Sequence, residues 1–420
     1  MKSISLFSRF QKKASKQPSL HFVLICILAI SFLTRFWKLS TLFHWTLDEE
    51  YWAYVIYNIS SGYHFPLIGG PASGTGLYLG PLFVWLMSPV SFIFSGHPLG
   101  FALFVSLLGV VTTLLIYWLG KKIVAPSIAL FASSLYAVSI FAILFDRKFW
   151  NASPIPFLSI LTLFFTHQNV VQPTLITTSI LAFTLTIAFH SHMSGVILII
   201  FTVIFLLINK AKPVLILKLM LIFSLFQSPL ILFDLRHQFT NTNALIKLVT
   251  QSSESSVSLV NRTQQTFTLV TNTYARALYT PASDVNHEVT LCRALAQDRK
   301  LPPVGYYLLT GVILIYSFTQ LKHKNPFALL IFINISTLFL FRLIANEDSL
   351  YPGQLSEYYL LPSIIAFFCI TADLGLKLFH RSKIIFYGLL LLIIVSNLHT
   401  FFGLKHTQSF ASKQLAVNQV

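Results

Sequence analysis

The sequence predicts an all-α fold: a polytopic helical membrane protein with about 11 transmembrane helices. Of its 420 residues, 55% are apolar and 10% are charged, whereas soluble domains carry about 25% charged residues. Apolar runs of about 17 residues or more recur along the chain and are long enough to cross a bilayer. Basic residues cluster in the short loops between these runs, so the formal net charge of +16 indicates membrane topology and not nucleic-acid binding.

The first predicted crossing, residues 20–37, follows a basic segment at residues 1–19 that we place in the cytoplasm. Its apolar run is too long for a signal-peptide core and lacks a small-residue cleavage site, so we expect it to be retained. The remaining crossings are predicted near residues 99–119, 123–145, 153–167, 174–190, 194–208, 214–233, 304–320, 327–344, 358–376 and 384–402.

The run at residues 77–94 is long enough to cross but is predicted not to. If it crossed, the loop with Lys121 and Lys122 and the later short basic loops would all move outside, against the positive-inside rule. We therefore predict a re-entrant or interfacial helix on the outer face. All 13 acidic residues except Asp373 then face outward.

This topology predicts four regions. They are the cytoplasmic N-terminus 1–19, a transmembrane module 20–233 that carries the candidate site and a first outer loop 38–98, an extracytoplasmic loop 234–303, and C-terminal transmembrane helices with a tail, 304–420. The loop 234–303 is rich in Ser, Thr, Asn and Gln and is too short for a domain of typical size. Within it, residues 243–250 are compatible with a helix.

Three consecutive acids follow the first predicted span: Asp48, Glu49 and Glu50. They open a helical pattern whose predicted apolar face is Tyr51, Trp52, Val55, Ile56 and Ile59. Asp48 heads this face, where a carboxylate is costly unless it is paired or used. Helix capping is the alternative, because Thr46 and Glu49 have capping-box spacing. Capping explains Glu49 well and Asp48 poorly.

Polar and charged residues of other loops are predicted to meet at the same membrane boundary. They are Asp146, Arg147, Lys148 and Asn151, then His190 and His192, then Asp234, Arg236 and His237, and finally Arg342, Glu347 and Asp348. Arg and Lys hold phosphate oxygens by charge-assisted hydrogen bonds, and a carboxylate can take a proton from an attacking hydroxyl. The pattern therefore favours a site for a phosphorylated lipid and a polar partner.

Structural interpretations of these residues stay open. The turn from Asp146 to Lys148 could neutralise itself, and His190 and His192 could be boundary residues with their polar tips among lipid headgroups. Arg342 lies about one turn inside a span, where a guanidinium needs a phosphate or an acid such as Glu347. Tryptophans near span ends, including Trp52, are expected in the interfacial belt.

Several local patterns occur together in a fixed order. They are the acids after the first span, Gly-Pro-x-x-x-Trp at 80–85, the Lys-Lys pair at 121–122, Lys-x-Trp-Asn-x-Ser-Pro at 148–154 and Glu-Tyr-Tyr-Leu-Leu-Pro at 357–362. In this order the chain resembles the GT-C superfamily of integral membrane glycosyltransferases. The most similar group is its bacterial protein mannosyltransferase-like (family 39-like) and aminoarabinose-transferase-like branch. The resemblance covers most of residues 20–375.

Members of that family move a sugar from a polyprenyl-phosphate carrier to an acceptor on the outer face of the membrane. The resemblance implies that Asp48 is the catalytic base, with Glu49 beside it. It also implies that Asp146, or the adjacent Arg147 and Lys148, helps to hold the donor phosphate or, in some members, a metal.

Other positions follow from the resemblance less directly. His190 and His192 fall where relatives often have polar residues after a span. Glu357 departs from the family, because many relatives carry a basic residue before the following Tyr. This departure argues against a phosphate-binding role for that loop.

The resulting hypothesis is an inverting glycosyl transfer. Asp48 deprotonates an acceptor hydroxyl, and Arg147, Lys148 and Arg236 or Arg342 stabilise the charge on the departing lipid phosphate. Supporting roles fall to His190, His192 and Asn151. The expected partners are the bilayer, a polyprenyl-phosphate-linked sugar and a glycan, lipid or protein acceptor, with no nucleic acid.

The predicted location is the bacterial inner membrane, with the site on the extracytoplasmic side. No residues are assigned to a metal, and a requirement for Mg²⁺ or Mn²⁺ stays open. A transporter or flippase of a lipid-linked sugar is the alternative function. Such a protein usually has ionisable residues in mid-span, and this chain has almost none. A non-catalytic scaffold would leave the one-sided acids unexplained.

Overall fold

The computed structural model describes residues 18–43, 45, 47–72, 75–250, 258–281, 302–344 and 356–403. In these ranges the chain is helical apart from one hairpin of two short strands, which confirms the predicted all-α class. Up to the hairpin and the helix after it, the elements are α1 (Pro18–Phe36), α2 (Leu39–Leu42), α3 (Leu47–Ser60), β1 (Pro71–Ala72), β2 (Leu77–Tyr78) and α4 (Leu82–Phe94).

The middle of the chain is a series of apolar helices. They are α5 (Pro98–Gly120), α6 (Pro126–Val138), α7 (Ile140–Arg147), α8 (Ile155–Val171), α9 (Leu175–Ser191), α10 (Gly195–Ile208), α11 (Pro213–Phe226) and α12 (Ser228–Arg236). The rest of the described chain forms α13 (Thr240–Thr250), α14 (Leu259–Leu278), α15 (Val304–Gln320), α16 (Pro326–Ile344), α17 (Leu361–Arg381) and α18 (Lys383–Phe402), with 3₁₀ turns at Leu321–His323 and Glu357–Leu360.

The apolar helices coincide with the predicted membrane segments. Four of the described helices are long and apolar enough to cross a membrane, namely Pro98–Gly120, Val304–His323, Glu357–Arg381 and Lys383–Phe402, and the number rises to 6 if each of two bent helix pairs is one span. Five shorter apolar helices, α1, α8, α9, α10 and α16, lie at the other predicted positions. The chain is therefore an integral membrane protein, and the number of crossings stays a prediction.

Residues 77–94 divide into β2 and the 13-residue helix α4. At 1.5 Å per residue, α4 is about 20 Å long, short of the roughly 30 Å hydrocarbon core. Pro81 occupies the N-cap position of α4. The non-crossing of residues 77–94 stays a prediction, since α10, which lies at a predicted crossing, is only one residue longer than α4.

Two segments predicted as single spans are broken. The chain bends by 66° between α6 and α7 and by 52° between α11 and α12. At the first break the Ser139 side chain caps α7 by accepting a hydrogen bond from the Ala142 N–H. At the second, Pro229 lies in the first turn of α12, where its missing N–H costs no intrahelical bond.

Helix α17 lies at the centre of the bundle, and α15 and α18 expose apolar side chains suited to lipid.

Helix α14 was not predicted in the loop 234–303. Its 20 residues are polar on average. In its first half one face is buried, with Thr266, Leu269 and Val270 at helical spacing, and residues 272–278 are all buried. The periodic signal was present in the sequence, but threonines occupy two positions of the stripe and weaken it.

Candidate functional site

A polar cavity of about 200 Å³ opens where α3 and the β1–β2 hairpin meet the main bundle. It is lined by Asp48, Tyr51, Trp52, Pro71, Ala72, Thr75, Leu79, Trp150, Asn151, His192, Met193, Tyr358 and Tyr359. We call it the Asp48 cavity. Three predicted site residues meet there: Asp48, Asn151 and His192.

Helix α3 turns Asp48 towards this cavity and Glu49 towards the protein interior. Glu49 is fully buried together with Trp52 and Ile56, whereas Asp48 is exposed. The predicted apolar face was therefore displaced by one position, because the acid on the buried stripe is Glu49 and not Asp48. The Thr46 partner of the proposed capping box lies outside the described residues.

Glu49 forms a buried ion pair with Lys148. The Lys148 ammonium lies 3.3 Å from Glu49 Oε1, and both side chains are almost inaccessible to solvent. The same ammonium lies 4.2 Å from the centre of the Trp150 ring, close enough for a cation–π interaction. Because Trp150 lines the Asp48 cavity, Lys148 places a positive charge directly behind the cavity wall.

Asn151 joins the turn after α7 to the end of α9, and His192 is held within the turn that follows α9. The Asn151 amide donates to the Ser191 carbonyl over 2.8 Å. The His192 Nδ1 accepts a hydrogen bond from the Ser194 backbone N–H at 3.1 Å, so the neutral ring carries its proton on Nε2. Burial lowers the pKa of His192 to about 3, because the interior disfavours the charged ring.

Aromatic rings form one wall of the Asp48 cavity. The Trp150 and Tyr358 rings meet edge to face at 4.9 Å, and His192 lies 4.8 Å from Tyr358. The ring centres of Tyr358 and Tyr359 are 4.6 Å apart. Trp52 is also buried in the core, so its predicted place in the interfacial belt was wrong.

Asp146, predicted to help hold the donor phosphate, is engaged elsewhere. Its carboxylate accepts hydrogen bonds from Arg35 Nε at 2.9 Å and from the Tyr136 hydroxyl at 2.8 Å, and all three side chains are buried. Gly109 makes room for it, since a Cβ there would lie 2.5 Å from Asp146 Cγ. Asp146 does not line the Asp48 cavity.

Arg147 caps the end of α1 and the residues after it. Its guanidinium donates to the Trp37 carbonyl at 3.0 Å and to the Lys38 carbonyl at 3.4 Å. Carbonyls at the end of a helix lack intrahelical partners, so this arginine has a structural function. The alternative interpretations, a solvated turn or one that neutralises itself, do not apply, because Asp146, Arg147 and Lys148 are buried and each contacts a different distant partner.

His190 packs against Gly80, which lies between β2 and α4. A Cβ at Gly80 would lie 2.1 Å from His190 Cγ, so the ring lies flat against the Gly80 backbone. Its Nε2 is 2.8 Å from Gln227 Oε1, at the break between α11 and α12. His190 therefore joins these elements outside the Asp48 cavity.

The other predicted cations lie apart from the Asp48 cavity. Arg236 is exposed at the end of α12. Arg342 donates to Gln265 Oε1 of α14 at 2.7 Å. Its proposed partner Glu347, like Asp348, lies outside the described residues. Asp234 caps α13 by accepting from the backbone N–H groups of Asn241 and Thr242.

A second, apolar cavity of about 630 Å³ adjoins the first. Its walls come from β2, α9, α10, α12, α13 and α16, and include Leu230, Ile231, Leu338 and Phe341. We call it the apolar groove. Thr75, Leu79, Met193 and Tyr359 line both spaces. A polar cavity that contains a carboxylate is therefore continuous with a long apolar surface.

Comparison with known proteins identifies this architecture. Residues 79–233 match the family described as dolichyl-phosphate-mannose-protein mannosyltransferase. ArnT from Cupriavidus metallidurans in the apo state aligns with a TM-score of 0.54 at 13% identity, over 86% of this chain and 60% of that chain. The chain has a GT-C fold. This result confirms the resemblance inferred from the sequence.

Two further structures share the GT-C fold. ArnT from C. metallidurans bound to undecaprenyl phosphate aligns with a TM-score of 0.53 at 13% identity, over 97% of this chain and 73% of that chain. The Archaeoglobus fulgidus oligosaccharyltransferase in complex with Zn and sulfate gives 0.53 at 14% identity, over 91% of this chain and 52% of that chain. This chain thus spans between half and three quarters of these relatives. No curated protein matches it.

The described part of the GT-C fold contains no cluster of three or more His, Cys, Asp or Glu side chains with metal-binding geometry. Asp48 is the one carboxylate among the described residues that line the cavity.

Sequence reasoning missed several residues of this site. Tyr358 and Tyr359 were noted only as part of a family pattern, although they line the cavity. Arg35 was counted within an apolar span, and its partner Asp146 is 111 positions away. A basic residue at the end of an apolar span was the one available signal for Arg35. Nothing local indicated its partner.

Proposed function

We propose that this protein transfers a sugar from a polyprenyl-phosphate donor to an acceptor hydroxyl, with inversion at the anomeric carbon and with Asp48 as the general base. One observation carries the proposal: the exposed carboxylate of Asp48 lies in a polar cavity that shares a wall with the apolar groove. A donor with a long apolar tail and a polar sugar–phosphate head needs these two adjoining environments.

In this proposal the apolar groove takes the isoprenoid next to the phosphate. Burial of apolar tail surface supplies binding free energy of roughly 25 cal/mol per Å², while few polar groups are needed to orient the head. Related structures support this class of donor: ArnT was solved with undecaprenyl phosphate, and the archaeal oligosaccharyltransferase AglB with dolichol phosphate and an inhibitory peptide.

The proposed step has a simple balance. The acceptor O–H gives its proton to the Asp48 carboxylate, and its oxygen attacks the anomeric carbon from the face opposite the phosphate. The bond from that carbon to the phosphate oxygen breaks, and the polyprenyl phosphate leaves with the electron pair. General-base catalysis of this kind supplies about 10²–10⁴-fold in rate.

Of the predicted cations, Lys148 is the one we retain for the phosphate. Its ammonium lies behind Trp150 in the wall of the Asp48 cavity, where a fixed positive charge stabilises negative charge that develops on the leaving group. Asp146 and Arg147 instead support the turn that carries Lys148. Arg236, Arg342 and His190 have no place in the proposed step.

Glu49 and His192 take supporting roles in this scheme. Glu49 holds Lys148 in place, and neutral His192 orders the aromatic wall. The acceptor is a hydroxyl on a glycan, lipid or protein. We place the reaction on the extracytoplasmic side because the acids are predicted to face outward.

The test uses purified protein and labelled polyprenyl-phosphate sugars with a panel of hydroxyl acceptors. We expect free polyprenyl phosphate to appear in step with label on the acceptor. Movement of an intact donor between the leaflets of a vesicle, without release of carrier, would favour the transporter alternative. Parallel assays with EDTA, then with added Mg²⁺ or Mn²⁺, determine the metal requirement.

A further inference from the structure

The short 3₁₀ helix Glu357–Leu360 supplies part of the wall between the two cavities. Tyr358 and Tyr359 both line the Asp48 cavity, and Tyr359 also lines the apolar groove. A donor that occupies both spaces would pass Tyr359 where its tail meets its phosphate. The position of this 3₁₀ helix therefore decides where the head of such a donor lies relative to Asp48.

Helix α14 holds this 3₁₀ helix at both ends. At its start, Arg276 donates to Glu357 Oε1 at 2.9 Å. Beyond its end, the Tyr274 hydroxyl lies 2.6 Å from Ser363 Oγ, and Ser363 donates to the Leu360 carbonyl at 3.0 Å. The two tyrosines that line the cavity are thus held between two contacts made by one helix.

The ion pair at the start is fully buried. The Arg276 and Glu357 side chains are 1% and 0% exposed. A charge at this depth is stable only with a well-placed partner, so the pair fixes the spacing of α14 and the 3₁₀ helix more tightly than apolar contact would. Neither Arg276 nor Glu357 lines either cavity.

We propose that Arg276 and Glu357 are positioning residues: their ion pair holds Tyr358 and Tyr359 as the wall that aligns the sugar–phosphate head of the donor with Asp48. This inference rests on the proposed function. The acid at position 357 has its basic partner, Arg276, on α14.

The composition of the groove walls predicts how loss of the ion pair affects kcat and the donor KM. Tyr359 is the one described lining residue of the apolar groove that the ion pair is proposed to hold, and the other walls come from elements apart from α14. Most of the tail contact should therefore remain when the ion pair is lost. Misplacement of a reacting group by about 1 Å can cost on the order of 10²-fold in rate. Loss of the pair should therefore lower kcat by about that factor and change the donor KM little.

The experiment compares Arg276→Met, Glu357→Leu and the double variant with wild type in the carrier-release assay. Each single variant leaves one charge of the pair in the interior, whereas the double variant leaves neither, so it should fold even if the singles do not. Arg276→Lys keeps the charge and should recover part of the lost kcat. Retention of detergent-solubilised, monodisperse protein is checked for every variant.

Tyr307→Phe is the matched control. It removes the 2.7 Å hydrogen bond from Tyr307 to Asn272, which joins α14 to α15 and involves neither residue of the ion pair. We expect it to lower the melting temperature slightly, because a single hydrogen bond contributes modestly to stability. We expect kcat to stay within about twofold of wild type.

The outcomes separate the two proposals. A fall in kcat in the double variant, with donor KM unchanged and partial rescue by Arg276→Lys, supports positioning by the ion pair. Unchanged kcat in the double variant, or an equal fall in Tyr307→Phe, overturns it while the proposed function stands. A wild-type protein that releases no carrier overturns the proposed function and this inference with it.

Discussion

The Lys148 ammonium lies 3.3 Å from Glu49 Oε1, so an ion pair joins the turn after α7 to the residue next to Asp48. Adjacent residues of a helix point in different directions. Because Glu49 is anchored in the interior, Asp48 is turned to the cavity. The pair thus fixes the phase of α3 and brings a positive charge to the cavity wall.

This ion pair yields a first prediction. Glu49→Gln and Lys148→Met should each reduce the free energy of unfolding by about 3–5 kcal/mol, because each breaks a buried ion pair. Both changes should also reduce transfer activity. Thermal unfolding in detergent measures the first effect and the carrier-release assay the second.

The double variant Glu49→Leu with Lys148→Met separates the two effects. It leaves no charge of the pair behind, so we expect stability close to wild type, while activity remains low because the positive charge near the phosphate is gone. If the double variant is as active as wild type, Lys148 has no electrostatic function in the reaction.

Asp146 provides a second prediction, which concerns structure and not catalysis. Asp146→Asn removes the charge that balances buried Arg35 and should destabilise the fold by about 3–5 kcal/mol. In the protein that remains folded, the donor KM should match wild type. A large rise in donor KM at unchanged stability would instead return Asp146 to the donor site.

Glycines supply the matched comparison for Asp146. Gly109→Ala would place a Cβ 2.5 Å from Asp146 Cγ, so it should disturb the same ion pair without removing a charge. Gly311→Ala also adds a methyl group to a helix, but nothing lies within 4 Å of the new Cβ. It should leave stability unchanged or raise it slightly, since Ala is the better helix former.

The sequence predicted the helical membrane fold and the positions of its apolar segments because both depend on local composition. The prediction that residues 77–94 do not cross came from charge placement in loops far away along the chain, and it stays a prediction. Phase was harder. Tyr51 and Trp52 both look apolar, so a helical wheel could not decide whether Asp48 or Glu49 faced the interior.

Long-range pairing explains most of what the sequence did not predict. Asp146 and Arg147 look like phosphate-binding residues when read beside Lys148, but their partners, Arg35 and the carbonyls that follow α1, are more than 100 positions away. The pairing of Arg276 with Glu357 likewise depends on α14, whose buried stripe contains threonines. Such contacts follow from packing and leave no local pattern.

His192 gives a prediction on pH. Its pKa is about 3 in the fold and about 6.5 in an unfolded chain, so below pH 6.5 the unfolded state binds a proton that the folded state does not. Stability should therefore fall as the pH drops from 6.5 towards 3. His192→Gln should reduce this slope, which is measured by melting temperature at a series of pH values.

The activity profile tests the same residue in a second way. A ring that stays neutral above pH 4 should add no step to the profile between pH 5 and 8. His192→Gln should therefore change the size of kcat but not the shape of its pH dependence. A step near pH 6 that vanishes in His192→Gln would mean that His192 titrates as a catalytic group.

The most direct test of the account is the transfer rate of Asp48→Asn. This change keeps the shape of the side chain and removes the base, so we expect kcat to fall by about 10²–10⁴-fold with the melting temperature unchanged. Glu50→Gln, on the same helix but outside the cavity lining, is the control and should retain activity. Turnover of Asp48→Asn at the wild-type rate would contradict the assignment of Asp48 as the base.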